Sequence, residues 1–278
     1  MIKKTLLFIL KILVILIILL LIFIFSIYSF IKPSNNRDWN NDQKVLPTVI
    51  VKGDIVSIKN IRDFRYASTT SYTEHYYDKD YDLNKLKRVW YIVEPFSGIA
   101  GSAHTFLSFE FENNIFLSVS VEIRKEKGES FHPIRGLFNK YELMYVLADE
   151  KDVVDLRINH RKDQVFIYPI KISKEKNKEL FMSIIDRVNK LYNKPEFYNT
   201  ITNTCTTNIV KHVNDISPHK IPWYDKRIMF PADSDELAYS LGLIDTDLPY
   251  DKIREKFNVN KKGEMYKGND DFSVKIRE

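Results

Sequence analysis

The feature that most constrains this chain is near its start. Ile12 to Ile31 is a run of twenty residues without a charge, almost all Ile, Leu, Val or Phe. As a helix rising 1.5 Å per residue it would span roughly 30 Å, the thickness of a bilayer core. A cleavable signal would need a shorter apolar core and small residues at its end. Here the bulky stretch Phe25-Ser26-Ile27-Tyr28-Ser29-Phe30 follows instead. The run is therefore read as an uncleaved anchor, residues 1–32. Lys3, Lys4 and Lys11 precede it and favour an N-terminus held inside. The expectation is a single-pass protein of the cell (inner) membrane, with the rest of the chain on the periplasmic, extracytoplasmic side.

About 246 residues remain, enough for a sizeable core without disulfides or metals. With 42 basic and 37 acidic residues the excess is only +5 and scattered, which argues against a nucleic-acid partner. Nothing in the pattern points to a metal, nucleotide, flavin or other cofactor. The single cysteine, Cys205, excludes an intrachain disulfide.

Residues 33–48 are polar with two prolines and read as a linker. Thr48 to Ile58 reads as a strand broken at Lys52-Gly53-Asp54, and residues 62–88 show no clear period. Further strands are expected at Trp90–Phe96, Ala103–Phe111, Ile115–Ile123, Glu142–Ala148 and Gln164–Ile172. Glu112-Asn113-Asn114 turns the second of these into the third, a hairpin with one polar and one apolar face. Leu180, Phe181, Ile184, Ile185, Val188 and Leu191 recur at spacings of three and four, predicting a helix from Ser173 to about Tyr192 that Pro195 ends. A shorter helix should run from about Cys205 to Val213. Strands followed by helices make an α+β domain over residues 49–248, an antiparallel sheet packed with helices. Residues 249–278 read as a charged, weakly patterned C-terminal tail.

The chemistry converges on Asn203-Thr204-Cys205-Thr206-Thr207-Asn208. Thr204 or Asn203 can cap the second helix and leave Cys205 in its first turn, where unpaired amides and the helix dipole favour a thiolate. The competing reading is a small buried hydrophobe. A thiolate needs a base, and His104 is the candidate among six histidines: it opens a strand directly after the loop Ser97-Gly98-Ile99-Ala100-Gly101-Ser102. His160, among Arg157, Arg161 and Lys162, reads as part of a solvated turn, and His212 lies two turns beyond Cys205. In a hairpin turning at Asn113, residue 104 faces roughly 122 or 123. Glu122 is then the candidate that orients the imidazole, with Ser120 a weaker alternative and an ion pair with Arg124 the competing role for Glu122. Arg124, Asn203 and Thr206 are the candidate substrate-binding groups, Arg124 for a phosphate.

The segments SAHTFLSFEF, LSVSVEIRKEKGESF, YELMYVLADEKDVVDLRIN and PEFYNTITNTCTTNIVKHVN resemble the Lnb N-terminal periplasmic domain family, over roughly Val56 to Ile221. The resemblance implies a permuted papain-like fold of the NlpC class, with a cysteine nucleophile at Cys205 and a histidine at His104. It implies acyl transfer from a phospholipid, through a Cys thioester, to the free amine of a lipoprotein N-terminus. The expected partners are a phospholipid donor, a lipoprotein acceptor and the bilayer. Two other readings use the same residues: a cysteine peptidase or amidase acting on cell-wall peptide, and a non-catalytic binding module of the same fold.

Overall fold

The computed structural model describes residues 2–98 and 100–278, with the side chains of residues 2, 21, 24, 25, 27 and 29 outside the description. Ile99 of the glycine loop therefore lies outside the described residues, as do some side chains of the apolar run. Helix α1, Ile2–Ser29, carries the run as one continuous helix with its described apolar side chains exposed. Among the described residues no helix is long and apolar enough to cross a membrane.

The folded part is a mixed α+β domain built on one sheet. Its strands are β1 (Thr48–Lys52), β2 (Ile55–Arg62), β5 (Tyr76–Asp82), β6 (Leu86–Pro95), β7 (Ala103–Phe111), β8 (Ile115–Arg124), β9 (Glu142–Ala148) and β10 (Phe166–Pro169). The short pair β3 (Arg65–Tyr66) and β4 (Tyr72–Thr73) stands apart. The sheet order is β1-β2-β9-β8-β7-β6-β10, with β5 also paired to β2. All pairings are antiparallel except the single parallel register Arg62↔Ala148 between β2 and β9. Helices cover both faces: α3 (Lys174–Asn193) and α4 (Cys205–Ile216) on one side, and α2 (Glu150–Asp155) with the π-helical turn Leu156–Arg161 on the other.

Alternation along β7 fixes everything that follows. Ala103, Leu107 and Phe109 join the core under α3 and α4, while Phe106 joins the core under α2. The predicted α3 stripe, Leu180 through Leu191, is buried against the first face. Each such side chain contributes roughly 1.5–3 kcal/mol by leaving water.

Two segments differ from the sequence reading. Residues 33–48 are a strap and not a free linker. Trp39 bridges to Glu126, and Arg124 donates to the carbonyls of Gln43 (2.8 Å) and Lys44 (2.7 Å) while lying over the Trp39 ring. The residues after Pro249 are part of the fold and not a tail. After α5 (Lys226–Met229) and α6 (Ser234–Ser240) come α7 (Tyr250–Phe257), α8 (Asn260–Met265) and α9 (Phe272–Lys275). These last three bury Ile253, Val259, Phe272 and Ile276. Helices this short carry one or two apolar residues each, too few to show a period. Residues 62–88 likewise hide β5, whose burial does not alternate cleanly.

Candidate active site

Cys205 is the first residue of α4. Thr204 forms a capping box: its hydroxyl accepts from the Thr207 amide (3.2 Å), and its own amide donates to the Thr207 hydroxyl (2.7 Å). The surrounding asparagines fix the approach. Asn208 Nδ2 donates to Asn203 Oδ1 and Thr204 O, both at 2.8 Å, and Asn203 Nδ2 donates to Phe197 O at 2.7 Å. Asn203 is thus a brace for the turn and does not line the site. The Thr206 hydroxyl sits 2.9 Å from that of Thr105, so α4 is pinned to β7 one residue away from His104. The Cys205 sulfur is half-buried and lies 3.7 Å from Thr206 Oγ1.

His104 points the other way. Its ring stacks on Phe106, on the sheet face opposite α4, and its Nε2 is 2.7 Å from Ser120 Oγ. Ser120 in turn donates to Glu122 Oε1 at 2.9 Å. The expected Glu122 contact is therefore made through Ser120. The pairing of Glu122 with Arg124 does not form; its cationic neighbour is Arg157, 3.5 Å away. Arg124 faces the strap with its guanidinium fully engaged, so it is no phosphate ligand of this site.

Cys205 and His104 still meet in one cavity. The β7–β8 ladder ends at Phe106↔Ser120, and beyond it the strands part. A cavity of about 260 Å³ opens there, reaching both faces at the end of the sheet. Cys205, Tyr198 and Phe131 line one part; His104, Glu122, Arg157 and Arg161 line the other; Asp42 and Gln43 of the strap, with Lys125, close a side. Among the described residues no hydrogen bond joins the sulfur directly to the ring.

Arg157 is the residue that sequence reasoning missed. Its sequence neighbours place it with His160 in a solvated turn, yet it is almost fully buried, paired with Glu94, and over the Phe106 ring at 4.7 Å. His160 is also turned inward, 3.5 Å from Asp155. A π-helical turn places both, and no periodicity announces such a turn. Burial, reinforced by the Arg157 charge and opposed by Glu122, lowers His104 to about 3. Burial alone would raise Glu122, but Arg62, Arg157 and the Ser120 hydroxyl bring it down to about 2. His212 is bound between Tyr145 and Ser183, each at 2.8 Å, and serves the core of α4.

The site is thus an α+β domain's pocket that combines a cysteine at a helix N-terminus with a neutral strand histidine backed by a hydroxyl and a carboxylate. Residues 72–232 match the family model of the Lnb N-terminal periplasmic domain, and the chain belongs to that family. The family description supports an extracytoplasmic location for the folded part. No curated protein and no solved structure matches the chain significantly.

Proposed function

We propose that the protein is a membrane-anchored thiol acyltransferase, taking a fatty acyl chain from phospholipid onto Cys205 and passing it to an amine, the N-terminus of a lipoprotein. The single observation that carries this is the shared cavity of Cys205 and His104. The apolar run of α1 supplies the anchor in this reading.

The hydrogen-bond network assigns the base. Glu122 is ionised and can only accept, so Ser120 gives it its proton and must accept from Nε2–H of His104. The Nδ1 lone pair is then the free basic nitrogen, and it has no protein partner among the described residues. The thiol proton passes to Nδ1 across the cavity, directly or through one water, as sulfur attacks the ester carbonyl. A C–S bond forms and the ester C–O bond breaks. The amides of Cys205 and Thr206, which the Thr204 cap leaves uncovered, face the developing oxyanion. The imidazolium, disfavoured beside Arg157, returns its proton to the leaving lysophospholipid oxygen. An amine then attacks the thioester; a C–N bond forms as the C–S bond breaks, and the proton that the amine sheds returns through His104 to the released sulfur.

Lys125 and Arg161, the latter 3.6 Å from Glu94 and partly exposed, replace Arg124 as the cations that line the cavity for a donor phosphate. A second, narrower cavity of about 90 Å³ lies beyond Thr206, walled by Ile209, Val210, Leu237 and Tyr91. Its apolar walls suit an acyl chain and offer nothing to a polar peptide. The charged part of the first cavity favours one competing reading, hydrolysis of an acidic cell-wall peptide.

The test is intact mass spectrometry of the full chain in phospholipid vesicles. An acyl adduct on Cys205, absent in Cys205→Ser and discharged by a lipopeptide bearing a free N-terminal amine, is expected. Peptide cleavage with no adduct in any donor overturns the proposal in favour of the hydrolase.

A further inference from the structure

Residues 131–138 join the outer end of α1 to the cavity. At one end Phe138 packs on Tyr28, ring centroids 5.2 Å apart, and Asn139 Nδ2 donates to Tyr28 O at 3.2 Å. At the other end Phe131 lines the cavity and packs edge-on to Tyr198. Between them Ile134 is 62 % exposed and Leu137 over a third exposed, with Arg135 exposed beside them.

This loop is held in place. Thr200 N donates to Gly136 O (3.2 Å) and Thr200 Oγ1 donates to Pro133 O (2.7 Å). A Cβ on Gly136 would collide with Thr200 Oγ1, so the Thr200 side chain packs directly on bare Gly136 backbone. Thr200 lies on the approach to Cys205. The apolar side chains are therefore displayed by a braced loop that is in contact with the nucleophile's own turn.

We propose that residues 131–138 seat in the phospholipid interface, so that the cavity opens at the membrane surface and admits its lipid directly from the leaflet. The inference rests on the membrane-anchored reading above. The occupant follows from continuity: the loop touches α1 at Tyr28, where its apolar run ends beside the exposed Phe30, and the exposed cations Lys32 and Arg135 lie close by in sequence on the two segments. Apolar side chains below and cations at the rim are the pattern of an interfacial segment.

The experiment uses full-length protein in phosphatidylcholine vesicles. Trp223→Phe leaves only the buried Trp39 and Trp90 as emitters. Ile134→Trp added to that variant places a reporter on the exposed loop. The expected result is that brominated-chain phosphatidylcholine quenches most of the added emission. If the chain floats with the vesicles but the added emission is unquenched, the loop does not seat and the proposal falls while anchoring stands. If the chain does not float with the vesicles, the anchored reading fails and takes the proposal with it.

Discussion

His104 and Ser120 are joined at 2.7 Å through Nε2 and Oγ, on the face of the sheet that α4 does not cover. This bond fixes the ring before any substrate arrives. It leaves the Nδ1 edge free beside the gap where β7 and β8 separate, which is what the proposed pairing of a histidine on one face with a cysteine on the other requires.

Removing that bond tests its role. His104→Ala should cost roughly 10²–10⁴ in the rate of Cys205 acylation, the usual worth of a general base. Ser120→Ala keeps the ring but frees its tautomer, and a loss of intermediate size is expected. Equal rates for Ser120→Ala and the wild type, measured by adduct formation over time, would show that the relay is idle.

The buried imidazole also sets a pH dependence. His104 titrates at about 3 in the fold against 6.5 in the open chain, so the unfolded state binds the proton first. Its stabilisation is complete above about pH 6.5 and is lost as the pH falls toward 3. Glu122, lowered to about 2 from 4.5, acts in the same direction at lower pH. Glu94, raised to about 7 by burial, acts oppositely and loses stability as the pH rises from 4.5 to 7. Each group contributes at most about 1.4 kcal/mol per pH unit within its window. Thermal melts from pH 7 to pH 5 should therefore fall less steeply for His104→Gln than for the wild type, and the His104 ring resonance should stay flat over that range.

Arg157 bridges Glu94 and Glu122 inside the protein. Arg157→Gln leaves the buried Glu94 only the longer contact to Arg161 at 3.6 Å, and breaking a buried pair on one side costs about 3–5 kcal/mol. Denaturant unfolding should show that loss. Arg157→Leu paired with Glu94→Gln should recover much of it, because the buried Glu94 charge is removed with its partner and Glu122 keeps the field of Arg62.

The Thr204 cap holds the cysteine in register. Thr204→Ala should destabilise by about 1 kcal/mol, and Thr204→Ser, which keeps the hydroxyl, should be close to neutral. A Thr204→Ala protein that is destabilised yet acylates at the full rate would confine the cap to stability.

Much of this protein is legible in its residue order. The alternation of Ile115–Ile123 places β8 and its hairpin, although Ser118 and Ser120 on the expected polar face are buried as well, and the three-four spacing of Leu180–Leu191 buries one face of α3, so both elements are written locally. The polar string around Cys205 marks a helix start because capping is a matter of four adjacent residues. The apolar run near the N-terminus is equally local. What the order could not settle is which side of the sheet each site residue faces and where the ladder stops. The parting of β7 from β8, the burial of Arg157 by a π-helical turn, the capture of Arg124 by the strap and the folding of residues 249–278 depend on contacts between segments far apart in the chain. Such contacts leave no period in sequence, because each is specified by a surface that exists only once the sheet has formed.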